Sequence, residues 1–299
     1  MSRSQLAPYD VRGKTVFVTG AARGIGAGIA QRLHSRGASV ALVGLEPELL
    51  EENAARLGER AMFYEVDVSD MQALEGAVAG TVARFGGIDV AIANAGIAFT
   101  GALATEPIEH VERTLAVNML GVWRTDRAVI GEITRSRGYL LNVASLAAAV
   151  HSPLMGPYTA AKAGVEALTD ALRMECAPTG ARVGCAYFGY IDTDLVRASF
   201  AHRSAQAMTG RLPAFMRTPA PLSTALDAIE RGIERRSARL WAPRWVGAML
   251  LARGLLQPLT EWAMLRDSQR LSEGIELAGS AEGAELEDPV LGVAAQAVR

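Results

Sequence analysis

Tyr158 and Lys162 stand four residues apart in Tyr158-Thr159-Ala160-Ala161-Lys162, so on a helix the phenol and the ammonium share one face. A cation beside a phenol favours the phenolate and draws its pKa down from about 10. A phenol tuned in this way exchanges a proton with an alcohol or carbonyl oxygen near neutral pH. Lys14 and Lys162 are the only lysines in a chain that otherwise takes its basic side chains from arginine. An ammonium on a flexible stem is a compact point charge, which a planar guanidinium does not replace. Taken alone the pair also fits an ordinary solvated helix face, so the surrounding elements must decide.

Those elements alternate. Lys14 to Thr19 is a short β-branched run that ends in glycines, as a buried parallel strand does. Helical spacing follows over Ile25 to Ser35 and closes at Gly37. Strands are expected over Ser39 to Val43, Met62 to Val68, Asp89 to Ala93, Tyr139 to Val143, Arg182 to Tyr187 and Arg239 to Ala242. Helices are expected over Pro47 to Leu57, Met71 to Phe85, Ile108 to Ser136 in one or two pieces, Tyr158 to Cys176, and Ser223 to Arg235. Alternation of this kind predicts an α/β fold of the Rossmann type: a doubly wound, mostly parallel seven-stranded sheet with helices on both faces.

Thr19-Gly20-Ala21-Ala22-Arg23-Gly24-Ile25-Gly26 lies between the first strand and the first helix. Glycine there permits a tight turn and lets the backbone approach a pyrophosphate at the helix N-terminus. The spacing Gly-x-x-x-Gly-x-Gly differs from the generic Gly-x-Gly-x-x-Gly fingerprint, and a plain glycine-rich βα turn is the duller reading. The strand–turn–helix context favours dinucleotide binding.

With these motifs in place, the chain resembles the short-chain dehydrogenase/reductase family, in its single-domain branch, over roughly residues 12 to 242. Residues 19 to 26 match the family's Thr-Gly-x-x-x-Gly-x-Gly in full, and Ala93-Asn94-Ala95-Gly96 matches its Asn-Asn-Ala-Gly apart from the first residue. The resemblance implies a catalytic set of Asn118, Ser145, Tyr158 and Lys162. It implies a nicotinamide cofactor held by the turn (Gly20, Ala22, Arg23, Gly24, Ile25, Gly26) and by Gly44 and Leu45 after strand two. Asp67 and Val68 would lie by the adenine, and Asn94, Ala95 and Gly96 by the ribose. Tyr158, Lys162, Gly189, Ile191 and Thr193 would complete that site, although the family's proline before Gly189 is Phe188 here.

The cofactor is left open between NAD(H) and NADP(H), with the balance towards NADP(H). The end of strand two carries Gly44-Leu45 where an acidic residue would select NAD, Glu46 follows within reach, and Arg23 could pair with a 2′-phosphate. On this reading Tyr158 is the acid/base, Ser145 binds the substrate oxygen, Lys162 lowers the tyrosine pKa, and Asn118 holds a water. The expected reaction interconverts a small hydrophobic secondary alcohol and its ketone. A catalytically silent cofactor sensor or scaffold on the same fold is the alternative from another class, and an epimerase or dehydratase the alternative among enzymes.

Ser145, His151, Met155, Tyr158, Phe188 and Tyr190 are the expected substrate contacts, together with Leu154 and a lid over about residues 195–220. The catalytic domain would then span residues 1–245. An apolar helical C-terminal extension would follow over 246–277, and a disordered tail over 278–299, rich in Ala, Gly and Glu. Arg253, Gln257, Pro258 and Glu261 interrupt the stretch 245–265, so it reads as packing on the pocket or on a partner subunit, or as lying on a membrane surface, but not as a span.

A net charge of −2 gives no basic field for nucleic acid. His34, His110, His151 and His202 lack paired spacing, so no metal site is expected. Cys176 and Cys185 read as small buried hydrophobes in a reducing compartment, and no apolar leader precedes Asp10, which points to the cytoplasm. A homodimer or homotetramer is expected from the resemblance alone.

Overall fold

The computed structural model describes residues 8–201, 204, 213–266 and 268–278, with the side chains of 268–270 excepted. Seven parallel strands form one sheet in the order β3-β2-β1-β4-β5-β6-β7. They are β1 (Thr15–Thr19), β2 (Ser39–Gly44), β3 (Ala61–Glu65), β4 (Val90–Ala93), β5 (Tyr139–Val143), β6 (Arg182–Phe188) and β7 (Arg239–Ala242). The order reverses between β1 and β4, which opens a crevice at the carboxyl ends of the strands. β1, β4 and β5 are buried along their whole length, because helices cover both faces and every second residue would otherwise meet water.

One face carries α1 (Gly24–Ser35), α2 (Pro47–Leu57) and α9 (Leu222–Arg235) over a core that includes Ile29, Leu33, Leu50 and Ile229. The other carries α3 (Met71–Phe85), α4 (Ile108–Leu115), α5 (Gly121–Ser136) and α6 (Gly156–Cys176) over Phe17, Leu74, Ile133 and Leu140. Asp70 caps α3 by accepting from the Ala73 N–H at 3.0 Å, and Gly86 ends it in the left-handed conformation that glycine adopts without strain.

Two expected elements changed. β3 stops at Glu65 rather than Val68, because β2 ends at Gly44 and offers no further partner; Val66, Asp67 and Val68 turn into the crevice instead. The span 108–136 is one continuous rod in three parts, with a π-helical turn over Ala116–Leu120 between α4 and α5. Turns of this type commonly mark functional positions, and this one contains Asn118.

Beyond the sheet lie α7 (Asp194–Ala201), the short α8 (Ala214–Arg217), α10 (Arg244–Arg266) and α11 (Ser268–Ala278). The middle of the expected lid, 202–203 and 205–212, and the expected tail from residue 279 lie outside the described residues. No described helix is long and apolar enough to cross a membrane. Cys176 and Cys185 are both free and buried, and burial pushes the Cys185 thiol up to about 11.

Candidate active site

The crevice divides into two chambers that share Leu195 as a wall. The first is a groove over the β1–α1 turn. Gly20 (φ +64°) and Gly24 (φ +57°) take left-handed conformations, and a Cβ on Gly26 would lie 2.0 Å from the Gly20 carbonyl oxygen. The turn is fixed from the β4 side. Asn94 Nδ2 donates to the carbonyls of Thr19 and Gly20, both at 3.1 Å, while the Asn94 N–H donates to Thr19 Oγ1 at 3.0 Å.

No side chain caps α1, whose N-cap is Arg23, and no acidic residue occupies its first turn. Its first N–H groups therefore face the groove unclaimed by a side chain, which suits a phosphate. The donor set fits a dinucleotide: Gly20, Ala22, Arg23, Gly24 and Ile25 line the groove, as do Gly44, Leu45, Asp67, Val68, Asn94, Ala95, Gly96 and Thr193. Five of the sequence-derived cofactor residues lie off this lining, Tyr158 and Lys162 on α6 among them. Gly26 packs against Gly20, Gly189 faces the second chamber, and Ile191 is buried beside a β-bridge to Ala220.

Arg23 and Glu46, read separately from the sequence, meet here: Arg23 Nη2 is 2.9 Å from Glu46 Oε1, and Arg23 Nε is buried without an acceptor. Sequence reasoning missed Arg113, whose Nη2 donates to Asp67 Oδ2 at 2.7 Å across the groove. Burial opposes the Asp67 charge, but donors from Ser69 and Arg113 outweigh it and hold the carboxyl below its usual range. Forty-six residues separate that pair in the chain, so no local pattern signals it.

The second chamber is a cavity of about 570 Å³, within the range of small-molecule sites. Ser145, His151, Leu154, Met155, Tyr158, Phe188 and Tyr190 all line it. Tyr190 is steadied edge-on by Phe200, with ring centroids 4.7 Å apart. The roof is α10, which contributes Trp245, Met249, Gln257, Thr260, Glu261 and Met264. Gln257 Oε1 accepts from the His151 N–H at 2.8 Å, and Arg253 pairs with Glu166 at 2.8 Å, so the roof is tied to α6 and to the loop before it. Of the alternatives for the stretch 245–265, packing on the pocket is thus observed.

Tyr158 and Lys162, one turn apart on α6, sit where the chambers meet. Ser145 stands close enough to Tyr158 to lower its pKa, accepts from the Ala147 N–H at 3.1 Å and donates to the Phe188 carbonyl at 3.4 Å. Lys162 is buried, donates to the Val143 carbonyl at 2.8 Å, and lies 5.7 Å from the centre of the Tyr158 ring. Desolvation draws the Lys162 ammonium down to about 8.

The expected lowering of the Tyr158 pKa is opposed by its surroundings. Burial raises it, Ser145 offsets that only in part, and the phenol stays protonated at neutral pH. Asn118 is fully buried, with its amide spanning the Ile97 backbone: Oδ1 accepts from the N–H at 2.8 Å and Nδ2 donates to the carbonyl at 2.7 Å. It braces Gly96 and Ile97 rather than reaching into either chamber.

A sequence profile described as short chain dehydrogenase matches residues 14–204, more than half of the chain. The protein belongs to the short-chain dehydrogenase family. A 2-(R)-hydroxypropyl-CoM dehydrogenase of Xanthobacter autotrophicus is 34% identical over 192 residues, 62% of this chain and 77% of that one. A fatty acyl-CoA reductase of Mycobacterium tuberculosis is 30% identical over 262 residues, which is 85% of this chain and 89% of the relative. Among solved structures, an alcohol dehydrogenase of the archaeon Thermococcus sibiricus, in complex with 5-hydroxy-NADP, is similar with a TM-score of 0.66 and 26% identity. That similarity covers 76% of this chain and 95% of the other. This short-chain dehydrogenase is accordingly an NAD(P)-dependent oxidoreductase acting on CH–OH and C=O groups.

Proposed function

We propose that the enzyme interconverts a lipophilic ketone and its secondary alcohol, with Tyr158 as the proton donor and acceptor. The observation that carries this reading is the Ser145–Tyr158 pair at the floor of an apolar cavity that adjoins the dinucleotide groove. The bound nicotinamide supplies or accepts the hydride. In reduction, the protonated phenol of Tyr158 donates to the carbonyl oxygen as that oxygen gains negative charge. Ser145 donates a second hydrogen bond to the same oxygen. Lys162 keeps donors beyond the one given to Val143, and these point to the space beside Gly96, 3.7 Å from where a Cβ would stand. There they hold the cofactor ribose and, once that site is filled, favour the tyrosinate that forms.

NADP(H) is the proposed cofactor: the orphaned Arg23 Nε and its guanidinium suit a 2′-phosphate, and Arg23 already neutralises Glu46. The lining, without an arginine or lysine among the described residues, supports an uncharged steroid-, terpene- or acyl-like substrate. The name of the mycobacterial relative is consistent with a lipid-like one. Assembly as a homodimer or homotetramer in the cytoplasm completes the reading.

Tyr158→Phe removes the transferable proton and little else. Turnover across a panel of lipophilic ketones should fall at least ~1000-fold, while the NADPH dissociation constant changes less than about threefold. Retained turnover would overturn the assignment.

A further inference from the structure

α10 has its polarity reversed for a surface helix. Its polar side chains turn inward: Arg253 to Glu166, Gln257 to the His151 backbone, and Thr260 and Glu261 to the cavity. Its large apolar side chains turn out. Leu251, Leu255, Leu259, Trp262 and Leu265 are each 56 to 91% exposed. The steps between the first four are four, four and three residues, which place them within about 80° of one another around the helix. Their stripe, about 21 Å long to Leu265 at the α-helical rise, is longer than scattered surface leucines would make.

Three features say what covers it. Arg266 lies over the Trp262 ring, 4.5 Å from its centre, and Arg244 stands exposed two turns before Leu251. The charges bracketing the apolar face are therefore cationic, and a tryptophan closes one end, as at a lipid–water boundary. Leu265 belongs both to the stripe and to the cavity wall, so the stripe is continuous with the substrate chamber. A second protein seated there would lie across that edge of the cavity, whereas lipid would leave the edge facing a reservoir of lipophilic molecules. The helix itself is no span, which leaves lying in the interface plane.

We propose that the outer face of α10, through Leu251, Leu255, Leu259, Trp262 and Leu265 with Arg244 and Arg266 at its ends, docks the enzyme on an anionic membrane surface. The docking does not depend on the reaction assigned above; only the view of the membrane as a source of substrate rests on it. The test is co-sedimentation of the full chain with vesicles of phosphatidylcholine alone and of an equal mixture with phosphatidylglycerol. Wild-type protein should pellet with the mixed vesicles. Leu255→Ser/Leu259→Ser should reduce the partition coefficient at least ~10-fold, and Arg244→Gln/Arg266→Gln should remove the preference for the anionic lipid. Circular dichroism melts of the variants, which change exposed side chains only, should match the wild type. No pelleting of the wild type, or pelleting unchanged in the leucine variant, overturns the proposal. So does a wild-type dimer in light scattering that the leucine variant dissociates without any vesicle binding, since a second copy would then be the occupant.

Discussion

The two chambers are built in opposite ways. Around the groove, chain segments far apart in sequence are pinned by polar bonds: Asn94 to the glycine turn, Asn118 to Ile97, Arg113 to Asp67, Lys162 to Val143. The cavity is walled by Leu, Met, Phe and Trp side chains, and its roof is held by the Gln257 and Arg253 contacts. Fixed dipoles suit a ligand that never changes, whereas unbranched and aromatic apolar walls adapt to shape at little cost. The groove is specific because its geometry has no slack. The cavity offers volume and mostly apolar walls, with Glu261 as the one carboxylate among its described lining.

If that contrast holds, a single added methyl in the groove should do more damage than the loss of a bond in the roof. Gly26→Ala would drive a Cβ to 2.0 Å from the Gly20 oxygen and 2.8 Å from Asn94 Nδ2. We expect destabilisation of at least ~3 kcal/mol in urea unfolding, with cofactor binding lost by calorimetry. A Gly26→Ala protein of native stability would show that the turn has slack after all.

Asp126 tests the rigid half through pH. It is buried between α5 and β5, accepts from Asn142 Nδ2 at 2.8 Å, and desolvation raises its pKa from 3.8 to about 8, the hydrogen bond offsetting only part. The folded chain thus holds a proton that the unfolded chain releases above pH 3.8. This group's contribution to stability is fully present below that pH and is lost as pH rises towards 8. Asp126→Asn should flatten the decline, gaining on the order of a few kcal/mol at pH 8 relative to pH 5 in parallel denaturation curves. An unchanged pH slope would mean that the carboxyl is ionised in the native core.

Smaller effects come next. Arg23→Gln should weaken NADPH binding about tenfold, as for the loss of one charge-assisted contact, and leave NADH nearly unchanged. Equal weakening of both would place Arg23 on the shared pyrophosphate instead. Gln257→Ala should cost about 1 kcal/mol in thermal melts and raise KM for a lipophilic ketone less than threefold, with kcat preserved. A large fall in kcat would show the roof to be as exacting as the groove.

How much of this was readable in the chain follows the range of each interaction. Pro47–Leu57, Met71–Phe85 and Tyr139–Val143 were legible to the residue because caps, glycines and β-branching are local. The Tyr158–Lys162 face was legible because helical spacing is local too. The π turn at Ala116–Leu120 was not, since one extra residue per turn leaves no compositional trace. Nor were Arg113–Asp67 or Gln257–His151, which closure of the fold brings together. The direction of the Tyr158 pKa was misjudged for a related reason. Spacing reports the neighbouring lysine but not the depth of burial, which raises the Tyr158 pKa.

Leu195, at the head of α7, borders both chambers. A partition with a tenant on each side does not yield to one of them alone. Whatever bias the nucleotide imposes on that side chain is felt by the alcohol or ketone as a changed affinity, and linkage requires the reverse effect to be equal. Any coupling of the two ligands through Leu195 is therefore the same whichever of them binds first.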